Sequence, residues 1–78
     1  MEAVYETKWM GTKVTVYPKL VEWKTLGQSK TVPIPSIANI EYGLDFAITV
    51  ITNSGQKIKI PAKNKKELRQ EIINLMKS

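Results

Sequence analysis

The charged side chains that could bind a ligand are unevenly distributed along the chain. Residues 1–56 carry five lysines and five acids, whereas residues 57–78 carry seven bases and two acids. The whole net charge of +5 therefore belongs to residues 57–78. A concentration of positive charge predicts a surface for anions, such as acidic lipid headgroups or nucleic acid. The candidate binding residues of this basic segment are Lys57, Lys59, Lys63, Lys65, Lys66 and Arg69.

The basic segment also has a purely structural interpretation. Lysines on the outer face of a strand discourage edge-to-edge pairing with other chains, and residues 57–60 alternate lysine with isoleucine. Nucleic-acid sites commonly interleave aromatic side chains for base stacking, and residues 57–78 contain none. We therefore expect a solvated surface first, an anionic membrane contact second and nucleic acid last.

Several kinds of chemistry are excluded by composition. The chain contains neither cysteine nor histidine, so it lacks disulfides, zinc–thiolate ligands, the usual proton shuttle near neutral pH and the commonest transition-metal ligand. Its seven carboxylates form no recognisable acid–base pair or calcium loop, and its four glycines form no phosphate-binding loop. We predict no enzymatic activity, no metal site and no cofactor.

Aromatic side chains offer a second possible means of contact. Trp23 alternates with Val21, which predicts that both point into the core. Trp9 lies in the segment Val4–Trp9, whose two faces are both mixed. Packing in the core is the first expectation for Trp9, and an exposed Trp9 becomes the leading contact for a partner. Apolar residues on both faces of this first strand also predict a partner chain added at a strand edge, including a second copy.

The elements that must position these residues are mostly strands. With 78 residues the chain has room for one domain, residues 1–78. Short runs rich in Val, Ile, Thr, Tyr and Trp alternate with Gly, Pro, Asn and Ser, which predicts antiparallel strands with one buried face. Inward-pointing positions include Phe46, Ile48 and Val50, and Ile58 with Ile60. The seven strands expected are Val4–Trp9, Lys13–Tyr17, Leu20–Thr25, Lys30–Ile34, Ala38–Tyr42, Phe46–Thr52 and Gln56–Ile60.

Turn residues and prolines specify the arrangement further. Asn53, Ser54 and Gly55 predict a hairpin between the last two strands. Pro33 cannot donate a hydrogen bond to a neighbouring strand, so its segment is expected at a sheet edge or partly irregular.

The periodicity changes from strand to helix after Pro61. An apolar stripe typical of one helix face follows, formed by Leu68, Ile72, Leu75 and Met76. Asn64 is a favoured N-cap residue, and Glu67 three positions later predicts a capping box. We expect a helix over residues 65–77, with Lys77 in its last turn, packed over one end of the strands.

Three stretches resemble the small bacterial pleckstrin-homology (PH)-like domains. They are residues 11–23, residues 30–41 and the hairpin 46–58, and residues 64–76 match the closing helix of that family. The resemblance implies a mainly β (α+β) fold, a PH-like barrel or sandwich of about seven antiparallel strands capped by a C-terminal helix. The alternative is a five-stranded SH3-like or Sm-like barrel with an appended helix.

The function that the resemblance implies is that of a non-enzymatic binding or scaffold domain. We expect it to mediate protein–protein interaction or self-association, and peripheral binding of anionic membrane lipid through the basic segment is the alternative. No apolar run is long enough to span a membrane, and no secretory pattern opens the chain. A cytoplasmic location is therefore expected, peripheral to the membrane in the alternative.

Overall fold

The computed structural model describes residues 2–77 and confirms a mainly β fold with one C-terminal α-helix. A short 3-10 helix, Ile34–Ser36, links the fourth and fifth strands. The seven strands outnumber those of the five-stranded alternative. The elements are β1 Tyr5–Trp9, β2 Thr12–Val16, β3 Leu20–Thr25, β4 Gln28–Pro33, β5 Ile37–Tyr42, β6 Ala47–Thr52, β7 Lys57–Pro61 and α1 Lys65–Met76.

The strands form two antiparallel sheets with sequential neighbours. The first sheet has the order β1-β2-β3-β4 and the second has the order β5-β6-β7. The hairpin predicted at residues 53–55 joins β6 to β7. Pro33 ends β4, which lies at a sheet edge as its missing N–H group requires.

The core lies between the inner faces of the two sheets and the helix. Leu68 and Ile72 of α1 are completely buried, and Leu75 and Met76 pack against the same cluster. Trp23 and Val21 are buried as expected. Burying each large apolar side chain contributes about 1.5–3 kcal/mol, so the helix is an integral part of the fold. No helix among residues 2–77 is long and apolar enough to cross a membrane.

The helix begins where the sequence predicts but without the capping box. The Asn64 side chain makes no capping hydrogen bond, and its backbone carbonyl accepts the Leu68 N–H at 3.0 Å. The Glu67 carboxylate instead accepts a hydrogen bond from the Tyr5 hydroxyl at 3.3 Å. Glu67 therefore ties α1 to β1, and the helix ends one residue early, with Lys77 as its C-cap.

Two expectations about side-chain direction are wrong. Phe46 does not point into the core but is 55% exposed, because β6 begins at Ala47 and Phe46 belongs to the preceding loop. The first strand is not apolar on both faces. Val4 lies outside β1, and within β1 the face opposite to Tyr5 and Trp9 includes the exposed Lys8. Ile58 is only half-buried, unlike Ile60, which is fully buried.

Candidate binding surfaces

Two residues of the basic segment hold a loop of the domain. The Lys65 ammonium donates hydrogen bonds to the backbone carbonyls of Gly43 at 3.0 Å and Asp45 at 2.9 Å. The Arg69 Nε–H donates to the Ile40 carbonyl at 3.0 Å, and its guanidinium carbon lies 5.5 Å from the centre of the Tyr42 ring. These two cations therefore fasten the end of β5 and the β5–β6 loop to the helix.

The other four candidate binding residues of the segment are more accessible. The Lys59 ammonium lies 3.3 Å from the Asp45 carboxylate, an exposed ion pair. Three side chains are exposed and make no hydrogen bond or ion pair within residues 2–77: those of Lys57, Lys63 and Lys66. Half of the candidate anion-binding residues therefore already have contacts within the domain, and the other half remain available.

Trp9 lies half-buried on β1 and forms an aromatic pair that the sequence does not reveal. Its ring centre is 4.9 Å from that of Phe46, and the two ring planes are tilted by 42°. A tilted arrangement at this distance is favourable for aromatic rings. The contact joins the end of the first sheet to the β5–β6 loop, and more than half of Phe46 remains exposed.

Two hairpin turns expose large apolar side chains in a strained backbone conformation. Met10 and Gly11 connect β1 to β2 with φ angles of 48° and 79°, and Leu26 and Gly27 connect β3 to β4 with 46° and 79°. Two-residue turns with two positive φ angles favour Asn, Asp or Gly at the first position. Met10 is nonetheless 81% exposed and Leu26 is 96% exposed, so packing does not explain either choice.

The two turns lie at the same end of the first sheet. Trp9 pairs with Thr12, and Thr25 pairs with Gln28, so both hairpins close at neighbouring positions of the register. We call the surface formed by Trp9, Met10, Leu26 and Phe46 the apolar end.

A row of lysines crosses the first sheet directly behind the turns. Lys8 is opposite Lys13, and Lys13 is opposite Lys24. Like charges in directly opposite positions are destabilising, and two carboxylates partly offset them, with Glu6 at 3.4 Å from Lys13 and Glu22 at 3.9 Å from Lys24. We call Lys8, Lys13 and Lys24 the lysine row.

The lysine row depends on strand pairing and is not among the sites predicted from the sequence. The signal that could have located it is the symmetric spacing of Lys8 and Lys13 around the Met10-Gly11 turn.

An open groove separates the free edges of β4 and β7. Its volume is about 610 Å³, and Trp23 lies at its base. Its walls are formed by residues of both strands and by Gln56, which immediately precedes β7: Lys30, Thr31, Gln56, Lys57, Ile58 and Lys59. We call it the β4–β7 groove.

The pKa of the Tyr5 hydroxyl is raised by its burial and further by the nearby Glu67 carboxylate. That hydroxyl connects β1 to α1 through its hydrogen bond to Glu67. Within residues 2–77, no three acidic side chains are grouped so that they could hold a metal ion.

Comparison of the chain with protein family models, with curated proteins and with solved structures gives no match.

Proposed function

We propose that this protein is a non-enzymatic binding domain, PH-like in type, whose apolar end docks onto a protein surface, a second copy of the chain included. The order of seven strands and a closing helix supports the PH-like assignment. The observation that carries the function is the exposure of Met10 and Leu26 at backbone positions that disfavour them.

The apolar end combines two features of a protein contact. Strained residues concentrate at functional positions, and exposed large apolar groups commonly mark interaction sites. The Trp9–Phe46 pair adds a partly buried aromatic anchor, the type of group that dominates binding energy at interfaces. Docking would bury Met10 and Leu26, which otherwise remain in water.

Peripheral binding to an anionic membrane is the second candidate, and the lysine row favours it. Apolar side chains at the turns could enter the lipid boundary while the lysines behind them face acidic headgroups. We rank it second because Glu6 and Glu22 already pair with Lys13 and Lys24. The basic segment is a second possible membrane contact, through Lys57, Lys63 and Lys66.

Light scattering over a wide range of protein concentrations tests the first candidate. We expect mass above that of the 8.9 kDa monomer at high concentration, and we expect the double variant Met10→Asn/Leu26→Asn to remain monomeric. Asparagine suits the turn backbone, so loss of association would not result from unfolding. A wild type that stays monomeric throughout would exclude the second copy as the partner, and an equally associated double variant would exclude the apolar end.

Vesicle sedimentation tests the membrane candidate. Vesicles with and without acidic lipid are compared at low and high salt, because screening weakens interactions between exposed charges. Replacement of the lysine row by glutamine should release the protein from acidic vesicles. The matched control replaces Lys57, Lys63 and Lys66 by glutamine, and selective loss in that control would assign binding to the basic segment. Equal sedimentation with neutral and acidic vesicles would contradict both assignments.

A further inference from the structure

The β4–β7 groove lies between two strand edges that have no neighbour in their own sheets. β4 is the last strand of the first sheet and β7 is the last strand of the second. Edge strands present unpaired N–H and C=O groups that can accept another strand. The groove walls include four consecutive residues, 56–59, at β7 and two residues, 30–31, at β4. The β7 edge therefore offers the longer continuous surface.

The hydrogen-bond register shows which backbone groups of β7 face the groove. The Thr52 N–H donates to the Gln56 carbonyl and the Ala62 N–H donates to the Phe46 carbonyl, each at 2.9 Å. Antiparallel pairs alternate between hydrogen-bonded and non-hydrogen-bonded positions. Residues 58 and 60 therefore bond to β6, whereas the N–H and C=O groups of Lys57 and Lys59 point away from it, toward the groove.

The backbone of β4 alternates in the same way as that of β7, and prolines limit both edges. The Ile34 N–H donates to the Lys19 carbonyl at 2.8 Å, so Ser29, Thr31 and Pro33 direct their backbone away from β3. Pro33 and Pro61 both fall at outward positions at the ends of their strands. Since proline has no N–H group, each edge is closed to pairing at that end and open in its middle.

The side chains of the groove define the chemistry of its occupant. Trp23 and the half-buried Ile58 provide apolar surface at its base. Lys30, Lys57 and Lys59 line its walls, and no acidic side chain does. Lys30 and Lys57 have no ion-pair partner among residues 2–77, so their charge is available to a bound group.

We propose that the β4–β7 groove binds an extended, acidic peptide segment of another protein, which adds as a strand to β7 through the backbone of Lys57 and Lys59. Alternate side chains of an added strand would point to the base and to solvent, placing apolar groups near Trp23 and carboxylates near the lysines. The β4 and β7 edges of a second copy are poor occupants, because they carry the same lysines. This site is separate from the apolar end and does not depend on it.

Two synthetic peptides test the proposal on the intact chain. One alternates glutamate with valine and the other alternates lysine with valine. We expect saturable binding of the acidic peptide alone, with slowed hydrogen exchange at the Lys57 and Lys59 amides. A third peptide, acidic but N-methylated at alternate residues so that one edge cannot form hydrogen bonds, should bind at least about tenfold more weakly.

Variants separate charge from strand pairing. Lys57→Pro and Lys57→Gln both remove the charge, but only proline removes the N–H group, so Lys57→Pro should bind the acidic peptide at least about fivefold more weakly than Lys57→Gln. Lys30→Glu should weaken binding, whereas Lys66→Glu on the helix should leave it within about twofold.

Four results would overturn the proposal. They are no binding of the acidic peptide, equal binding of the acidic and basic peptides, equal binding of the N-methylated peptide, and exchange protection confined to the apolar end. The N-methylated peptide and the exchange pattern are measured on the wild type, so they decide the matter even where Lys57→Pro does not fold. Met10→Asn/Leu26→Asn should bind the acidic peptide normally, which separates this site from the apolar end.

Discussion

Replacing both strained turn residues by asparagine should stabilise the domain while removing its contact surface. Leucine and methionine with φ near 47° occupy a left-handed region that costs most residues about 1–2 kcal/mol, whereas asparagine adopts it readily. Because Met10 is 81% and Leu26 is 96% exposed, little burial is lost on replacement. Asparagine relieves only part of this cost at each of the two positions, so Met10→Asn/Leu26→Asn should raise the free energy of unfolding by about 1–2 kcal/mol in total.

Thermal and urea denaturation measure this change. For a domain of this size, about 1–2 kcal/mol corresponds to a rise in Tm of roughly 4–16 °C, with an unchanged slope in urea because the surface exposed on unfolding is nearly the same. Leu44→Asn is the matched control. Leu44 is fully exposed but does not have a positive φ, so its replacement should leave the Tm unchanged.

A double variant as stable as the wild type, or less stable, would refute the strain argument. A gain in stability accompanied by loss of association would indicate that these side chains are retained for binding at the expense of stability. A gain in stability with unchanged association would confirm the strain but assign binding to another surface.

Three further predictions concern the framework. Ile72→Asp should abolish cooperative unfolding, because an unpaired charge at a fully buried position costs several kcal/mol. The control Gln70→Asp, on the exposed face of the helix, should retain a folded circular-dichroism spectrum. A folded Ile72→Asp would contradict the packing of the helix. Gly43→Ala should lower the free energy of unfolding, measured in urea, by about 1–3 kcal/mol, because the new Cβ would lie 2.9 Å from the Ala47 carbonyl oxygen. A Gly43→Ala variant as stable as the wild type would show that the loop moves to accommodate the methyl group. The raised pKa of Tyr5 means that the folded state keeps this proton to a higher pH than the unfolded chain does. The contribution of this group to stability is therefore present below pH 10.0 and is lost as the pH rises through the raised pKa. In alkaline urea titrations the free energy of unfolding of Tyr5→Phe should fall less steeply with rising pH than that of the wild type, and identical slopes would refute the shift.

The elements themselves were predictable because each depends on local patterns. Alternating Val and Ile residues separated by Gly, Pro and Asn predicted seven strands, and all seven are present. The stripe containing Leu68 and Ile72 predicted the buried helix face. Pro33 predicted an edge because a missing N–H group has the same consequence in any sheet.

The failures concern side chains whose environment is set by other parts of the chain. Phe46 follows the alternation of β6 but precedes the strand and meets Trp9, which is distant in sequence. Glu67 has the spacing of a capping box, yet its carboxylate accepts a hydrogen bond from the Tyr5 hydroxyl, a residue distant in the sequence. Lys65 and Arg69 belong to a charge cluster in the sequence, but backbone carbonyls of the β5–β6 region accept their hydrogen bonds.

Local sequence patterns were enough to predict the strand number, the helix and most apolar positions of the core, and the composition excluded cysteine and histidine chemistry. The folded structure was needed to show which lysines have partners, that Met10 and Leu26 share one end of a sheet, and that β4 and β7 border a common groove. The reason is physical: strand and helix preferences act over a few residues, whereas a binding surface depends on distances between residues far apart in the chain. Those distances exist only after the two sheets have packed together.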